Sequence, residues 1–317
     1  MFTGPPYPAG MTGGSERADE ELLAVAEATL PGQRWHEAHL LRGSSHDELR
    51  LPGAAVLRVA RTPAAATALP RRTELLRRLA RLGLPFEVPE PLSEVVTVHG
   101  RGAVALSWMY GRFTAPRIVH SDLVLAGTQQ LSSLLGALRE VDCGPLADVL
   151  GVPHEGVGGD GWAELMLGEV VPRLPRAGRR EARRRITKAR DLPVPRPSLV
   201  HGALDASNLL WDGSRRLVGV LGWDAAQLFD PALDAAWLLS QKWGVGRVDI
   251  DRELMRRTRI RALTLGFEPM ARAILDQETE WQLERRVART VEWLEQTTGY
   301  WSREALRAKP FRATDQS

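Results

Sequence analysis

The sequence predicts an α+β fold in which a small antiparallel sheet lobe leads into a larger, mainly helical lobe. Three observations predict it. Short apolar runs bounded by glycine turns crowd the region before residue 110. One long Ala/Arg/Leu helical segment interrupts them at 64–82. Beyond 110 the apolar residues recur at helical spacing, except around one hairpin at 208–222.

Composition bounds the chain before any motif does. Its 317 residues, 44% hydrophobic with 10 Trp, suffice for a sizeable core in one large or two medium domains. No apolar run reaches the roughly 18 residues that a membrane span requires. Residues 1–16 have no basic region followed by an apolar core, so no secretory signal is expected there, only a disordered tail. The single Cys143 excludes an internal disulfide framework and fits a reducing cytosol, so a cytoplasmic location is expected. A formal net charge of +3 does not imply nucleic acid.

Taken in order, 18–29 has helical spacing, and strand candidates follow at 36–42, 47–51 and 54–60. The third, AAVLRVA, sets Arg58 among Val56, Leu57 and Val59. A cation inside an apolar strand must be paired, face a cleft, or point to solvent from an edge strand. Glu74, on the helix at 64–82, is the expected partner, and Pro70 is expected in that helix's first turn. Two more strands at 91–97 and 102–108 close the first lobe, placed at 17–108, and the second of them ends in LSWMYG. The second lobe, 109–317, opens with a helix over 120–142 and a Gly/Pro-rich connection over 144–160. Helix 161–172 and the run 173–190 follow, the run holding eight Arg and one Lys against one Glu. Such a run is either a solvated helix face or a surface for an acidic partner. Without interleaved aromatics it does not support nucleic-acid binding. Helices are expected again at 231–243, 249–265, 268–276 and 278–300.

The stretch 198–235 carries the chemistry: LVHGALDASNLL from Leu199, then GVLGWDAAQLFDPALDAA from Gly219. These segments resemble the aminoglycoside phosphotransferase and choline kinase family, a branch of the protein-kinase-like two-lobe fold. The family patterns are LVHGDLHPGNLL and GVIDWEDAGLGDPALDLA, and the resemblance extends over roughly 34–300. It implies an ATP- and magnesium-dependent O-phosphotransferase. It also implies roles for residues of this chain. Gly43, Ser44 and Ser45 fall at the phosphate-covering turn. Arg58 falls at the cation facing the ATP phosphates, with Glu74 as its helix partner, and Ser107 to Met109 fall at the adenine hinge. Asn208 falls at the assisting metal ligand, and Asp230 and Asp234 fall at structural positions.

The two essential carboxylates are absent. Ala203 stands where the family has the Asp that orients the acceptor hydroxyl, and Gly222 where it has the main metal carboxylate. Loss of a positioned base alone costs about 10²–10⁴ in rate. The resulting expectation is a pseudo-phosphotransferase without ATP or magnesium as working cofactors. It would bind a small molecule or peptide in the interlobe cleft, with 173–190 holding an acidic protein partner. The alternative is an active ATP-dependent phosphotransferase on a hydroxyl of an antibiotic, a sugar or a peptide Ser/Thr. It would use the displaced carboxylates Asp205 and Asp224, each two residues downstream of a lost one.

Overall fold

The computed structural model describes residues 16–17, 20–43, 45–113, 121–150, 161–193, 195–240, 250–275 and 277–298. Residues 1–15 of the predicted tail, Ser44, and 151–160 of the predicted connection lie outside the described residues. In chain order the strands are β1 (Glu16–Arg17), β2 (His39–Arg42), β3 (His46–Leu51), β4 (Ala55–Ala60), β5 (Val96–Val98), β6 (Arg101–Ser107), β7 (Ser198–Val200), β8 (Leu209–Trp211), β9 (Leu217–Val220) and β10 (Gln227–Phe229). The helices are α1 (Glu20–Thr29), α2 (Pro63–Ala80), α3 (Ser121–Glu140), α4 (Trp162–Leu165), α5 (Val171–Arg173), α6 (Arg176–Arg190), α7 (Ala232–Ser240), α8 (Arg252–Ala262), α9 (Glu268–Leu275) and α10 (Glu280–Thr297).

Two compact units divide the chain. The first holds an antiparallel six-stranded sheet, ordered β1-β2-β3-β4-β6-β5. Alternation along the strands decides what each face carries. Leu49 of β3, Leu57 and Val59 of β4, and Ala103 and Ala105 of β6 pack with Leu22 and Val25 of α1 into one core. The opposite face carries His46, Glu48 and Arg58, with Glu48 directly across from Arg58. β4 lies between β3 and β6, so Arg58 is on an interior strand and not on a solvent edge. The helix predicted over 64–82 starts at Pro63, and the Thr62 side chain accepts a hydrogen bond from the Ala65 N–H at 3.2 Å. Pro70 consequently lies inside α2 and not in its first turn.

The expected boundary at 108/109 is not where the chain divides. Segments Glu140–Leu150 and Asp205–Ala226 return to the first unit. Backbone pairing is the cause: Glu87 donates to Val218 (2.8 Å) and accepts from Val220 (2.9 Å), while Arg112 and Trp211 exchange two bonds. The β8–β9 hairpin is thereby tied to the chain around the sheet.

The second unit is mainly helical, with one small sheet in which β7 pairs antiparallel with β10. Its core gathers Trp162, Met166, Ile186, Phe267 and Met270, none more than 3% exposed. Among the described residues no helix is long and apolar enough to cross a membrane.

Candidate functional site

Strand register builds the site in the first unit. His46 and Glu48, two residues apart on β3, share a face with Arg58 on β4. The turn Trp223–Ala225 brings Asp224 to them. Arg58 grips Asp224 with both nitrogens of its fork, Nη1 to Oδ1 at 3.1 Å and Nη2 to Oδ2 at 2.8 Å. Arg72 of α2 approaches the same carboxylate at 3.5 Å, and Glu48 stands 3.8 Å from Arg58 Nε. Burial alone would push the Asp224 carboxyl up, but Arg58 and then Arg72 outweigh it and hold it well below the usual carboxylate range. Asp224 is thus an anion at any pH near neutrality.

The expected Arg58–Glu74 pair is not formed. Glu74 binds Arg78 at 2.9 Å and Arg77 at 3.4 Å, one turn along its own helix, and Arg78 continues to Asp148. Nearby i+3 and i+4 partners take the carboxylate at less cost in side-chain order than a distant strand residue. Arg72, which actually meets the Arg58 cluster, is a residue that reading the sequence missed. Its signal was its place on α2, between Leu69 and Leu76 at helical spacing, both of them buried.

His46 is almost fully buried, with Nδ1 at 3.2 Å from Arg58 Nη2 and 3.0 Å from Ser45 Oγ. Arginine can only donate, so Nδ1 is the acceptor and Nε2 carries the proton, without a hydrogen-bond partner among the described residues. Burial, and then the charge of Arg58, lowers its pKa from 6.5 to about 4. Protonation therefore works against the folded state, which keeps its full stability above pH 6.5 and loses it as pH falls toward 4. That drop corresponds to about 3 kcal/mol at about 1.4 kcal/mol per pH unit. Urea unfolding at pH 7 and pH 4 should show wild type losing about that much more than His46→Gln. An equal loss in both proteins would contradict the assignment.

The glycine-bearing turn closes tightly: Gly43 N–H donates to the His46 carbonyl at 2.9 Å, and a Cβ on Gly43 would stand 2.6 Å from that oxygen. Ser45 is exposed at its tip. At the hinge, Ser107 is committed to the Glu90 backbone, its Oγ accepting at 2.9 Å and its N–H donating at 2.7 Å. Met109 is buried, and among the described residues its backbone N–H and C=O make no hydrogen bond. Of the expected hinge residues, Met109 keeps an open donor and acceptor, while the N–H and hydroxyl of Ser107 are taken.

Position 222, where the resemblance placed the metal carboxylate, is a glycine. Gly222 adopts φ 76° and ψ 38°, the left-handed region. A Cβ there would lie 2.8 Å from Asn208 Cγ and 3.0 Å from its Nδ2, so the Asn208 side chain fills the space a carboxylate would leave from. Asp205 accepts from the Ser207 N–H (2.8 Å) and hydroxyl, capping its own short turn. Both displaced carboxylates are thereby engaged, Asp205 in a cap and Asp224 by two arginines. Magnesium needs one or two free carboxylates, and the residues present do not fit it as arranged. Among the described residues no group of three or more His, Cys, Asp or Glu could hold a metal ion.

The loop that carries Ala203 belongs to the second unit and keeps its shape. Asp234 accepts from the His201 N–H (2.7 Å) and the Gly202 N–H (2.9 Å), and the Trp237 indole donates to the Gly202 carbonyl at 2.8 Å. Burial raises the Asp234 pKa to about 7, against the pull of those two N–H groups. Asp230 caps α7 through the Ala232 N–H at 3.0 Å. The loop is braced, and position 203 carries only a methyl group.

The basic run resolves into α6. Arg184 and Arg185 share Glu181, and Arg185 is buried, its fork reaching Thr297 and Thr298. Arg180, Arg183 and Lys188 have no ion pair among the described residues and, with Arg256, surround a groove of about 630 Å³ floored by Leu192 and Ile260.

Comparisons with known proteins agree with this architecture. The model of the phosphotransferase enzyme family matches residues 41–272. Viomycin phosphotransferase of Streptomyces vinaceus is 33% identical over 186 residues, covering 56% of this chain and 64% of that protein. The chain thus matches a little under two thirds of that relative's length. Among solved structures, the GDP complex of wild-type aminoglycoside 2'-phosphotransferase-IIIa superposes with a TM-score of 0.70 at 18% identity, covering 88% of this chain and 98% of that one. The streptomycin–ATP–APH(2'')-IIa ternary complex gives 0.65 at 16% identity, covering 88% and 97%. At such identities these structures establish the fold, an aminoglycoside-phosphotransferase, kinase-like one. By its family match over more than half its length, the chain belongs to the phosphotransferase enzyme family.

Proposed function

We propose that this chain is a non-catalytic binding module built on the antibiotic-phosphotransferase architecture. It holds a hydroxyl-bearing small molecule of the antibiotic class and does not phosphorylate it at enzymic rates. The observation that carries the reading is position 222: a left-handed glycine whose side-chain space is filled by Asn208. Ala203 in a braced loop supports it, because a methyl group can neither orient a hydroxyl nor take its proton. The ligand class rests on the relatives, whose names include viomycin phosphotransferase and aminoglycoside phosphotransferases. The α6 groove, cationic at its rim and apolar at its floor, fits an acidic segment of a partner protein. The lone cysteine supports a cytoplasmic setting.

A second reading has its own support. The named relatives are phosphotransferases, and they favour an active ATP-dependent enzyme acting on an antibiotic, sugar or peptide hydroxyl through Asp205 and Asp224. Transfer of labelled γ-phosphate from ATP to viomycin or kanamycin, with magnesium, separates the two. The expected outcome is no transfer above background, with the antibiotic still raising the melting temperature. Robust turnover that disappears in Asp205→Ala or Asp224→Ala would establish the second reading instead.

A further inference from the structure

The basic run on α6 is more than a solvated helix face. Ala182, Arg185, Ile186 and Ala189 turn inward and are buried. Arg180, Arg183, Arg184, Thr187 and Lys188 recur at three- and four-residue intervals on the other side, where they line the groove of about 630 Å³. A second helix, α8, brings Arg256 and, one turn on, Ile260 to the same space. All of these residues belong to the second unit. Cations thus converge on the groove from two helices, and the only acid in its lining, Asp191, is engaged by Arg190 at 2.8 Å. Arg184 holds Glu181 and Arg256 holds Glu253, each three residues away on its own helix and near the surface. Surface pairs of that kind are weak and exchange readily for a better-placed carboxylate. Arg180, Arg183 and Lys188 have no carboxylate partner among the described residues.

We propose that this groove binds a short extended segment of a partner protein in which acidic and aliphatic residues alternate. The inference rests on the reading of α6 as the surface for an acidic partner, and it adds the conformation and the residue pattern of the segment. Arg180, Arg184 and Lys188 stand four residues apart, so they rise about 6 Å per step and about 12 Å in all. Same-side side chains of an extended segment recur every ~6.6–6.8 Å, so three acids at alternate positions meet these cations almost in step. The side chains between them turn away from α6 and find an apolar floor in Leu192, Pro193 and Ile260. A helical segment of the same reach, about 10–12 Å across, fills roughly 1,000 Å³, well above what the groove holds. Arginine's planar fork matches the two oxygens of a carboxylate. Other polyanions fit less well. The lining has no Phe, Tyr or Trp on which bases could stack. Its apolar residues are recessed, and the large apolar side chains exposed among the described residues, Leu92, Tyr110 and Trp281, lie outside it, so it is not shaped to enter a bilayer. Neither end of this sequence is acid-rich: 1–15 contain no Asp or Glu, and 299–317 hold Glu304 and Asp315 against Arg303, Arg307, Lys309 and Arg312.

Fluorescence polarisation of the full chain with two labelled, end-blocked peptides of equal charge tests this. One is Glu-Val-Glu-Val-Glu, and the other is a lactam-stapled alanine helix with three glutamates at four-residue intervals. At about 0.1 M ionic strength, exposed charges more than ~10 Å away are largely screened. There the extended peptide is expected to bind about fivefold more tightly than the stapled helix, and less tightly as salt rises. Arg180→Glu combined with Arg183→Glu is expected to weaken it about tenfold or more. Arg285→Glu combined with Arg289→Glu, the same change of net charge on exposed positions of α10, should alter it less than about twofold. Circular dichroism checks that both double variants fold. Should the α6 variant fail to fold, Arg180→Gln with Arg183→Gln replaces it, with weakening of about fivefold expected. Tighter binding of the stapled helix, lost in the α6 variant, would overturn the extended segment and leave the acidic-partner reading standing. Equal losses in the two double variants, or no binding of either peptide, would overturn both. A single-stranded oligonucleotide or phosphatidylserine vesicles that bind more tightly than the extended peptide, through the same arginines, would also overturn the proposal. Phosphate transfer to viomycin, measured on the same samples, bears on the non-catalytic reading alone.

Discussion

Asp230→Ala is expected to destabilise the second unit by about 3–5 kcal/mol, the range for stripping one partner from a buried ion pair. Asp230 is 1% exposed and accepts from Arg257 at 2.6 and 3.3 Å, from Arg261 at 3.4 Å and from the Ala232 N–H at 3.0 Å. Both arginines are themselves buried, and burial already pulls the Arg261 guanidinium below its usual value, with Asp230 opposing that pull. Alanine leaves two desolvated cations facing each other and removes the N-terminal cap of α7. Arg257 keeps its bond to the Pro193 carbonyl (2.8 Å) and Arg261 its place over the Phe229 ring (4.8 Å), so part of the packing survives. Urea denaturation followed by tryptophan fluorescence reads the loss. Asp230→Asn, which keeps the cap and drops the charge, should fall in between. Asp230→Ala combined with Arg257→Met should recover some of the deficit. A single-variant loss under about 1 kcal/mol would mean that solvent reaches these cations in the folded state. The consequence extends to the loop, because α7 also carries the Asp234 carboxylate that braces His201 and Gly202.

How much of this could be read in the sequence depended on how local each cause was. Alternation along AVLRVA set Arg58 apart from Leu57 and Val59, and the structure indeed puts it on the other face of an interior strand. Its partner was out of reach, since Asp224 lies 166 residues away and nothing local connects the two. Glu74 was the nearer acid, but Arg77 and Arg78 stand three and four residues further along the same helix, and that spacing was a legible reason to expect it to be taken. The hairpin at 208–222 was visible from its turn residues. Its attachment to the first unit was not, because a bridge between Glu87 and Gly219 uses backbone groups that every residue possesses. The absent carboxylates at 203 and 222 were plain in the letters. What the letters could not convey is that Asn208 occupies the space beside Gly222, and that this decides whether a carboxylate can simply be put back.

Gly222→Asp is accordingly expected to be costly before it is useful. The backbone at 222 is left-handed, a region that aspartate enters at a cost of about 1 kcal/mol. The new Cβ meets Asn208 Cγ at 2.8 Å, and crowding of that kind costs about 1–3 kcal/mol more. The Asn208 backbone cannot yield, because its carbonyl accepts from the Leu221 N–H at 2.8 Å and its own N–H donates to the Asp205 carbonyl at 3.1 Å. Relief must come from the Asn208 side chain turning away. Gly222→Ala separates the steric part from the rest, since it carries the Cβ without the carboxylate. In Gly222→Asp, magnesium with ADP should then restore more stability than magnesium alone, because one carboxylate holds hydrated magnesium weakly and the nucleotide phosphates add the further oxygens that make such a site tight. Differential scanning calorimetry of both variants, with and without magnesium and ADP, tests the pair of effects. A Gly222→Asp protein as stable as wild type would mean that Asn208 does not fill the site. A destabilised one that magnesium and ADP leave unchanged would mean that more than one carboxylate separates this fold from a working metal site. Ala203→Asp, added to Gly222→Asp, would then show whether the braced loop still presents position 203 to an acceptor hydroxyl.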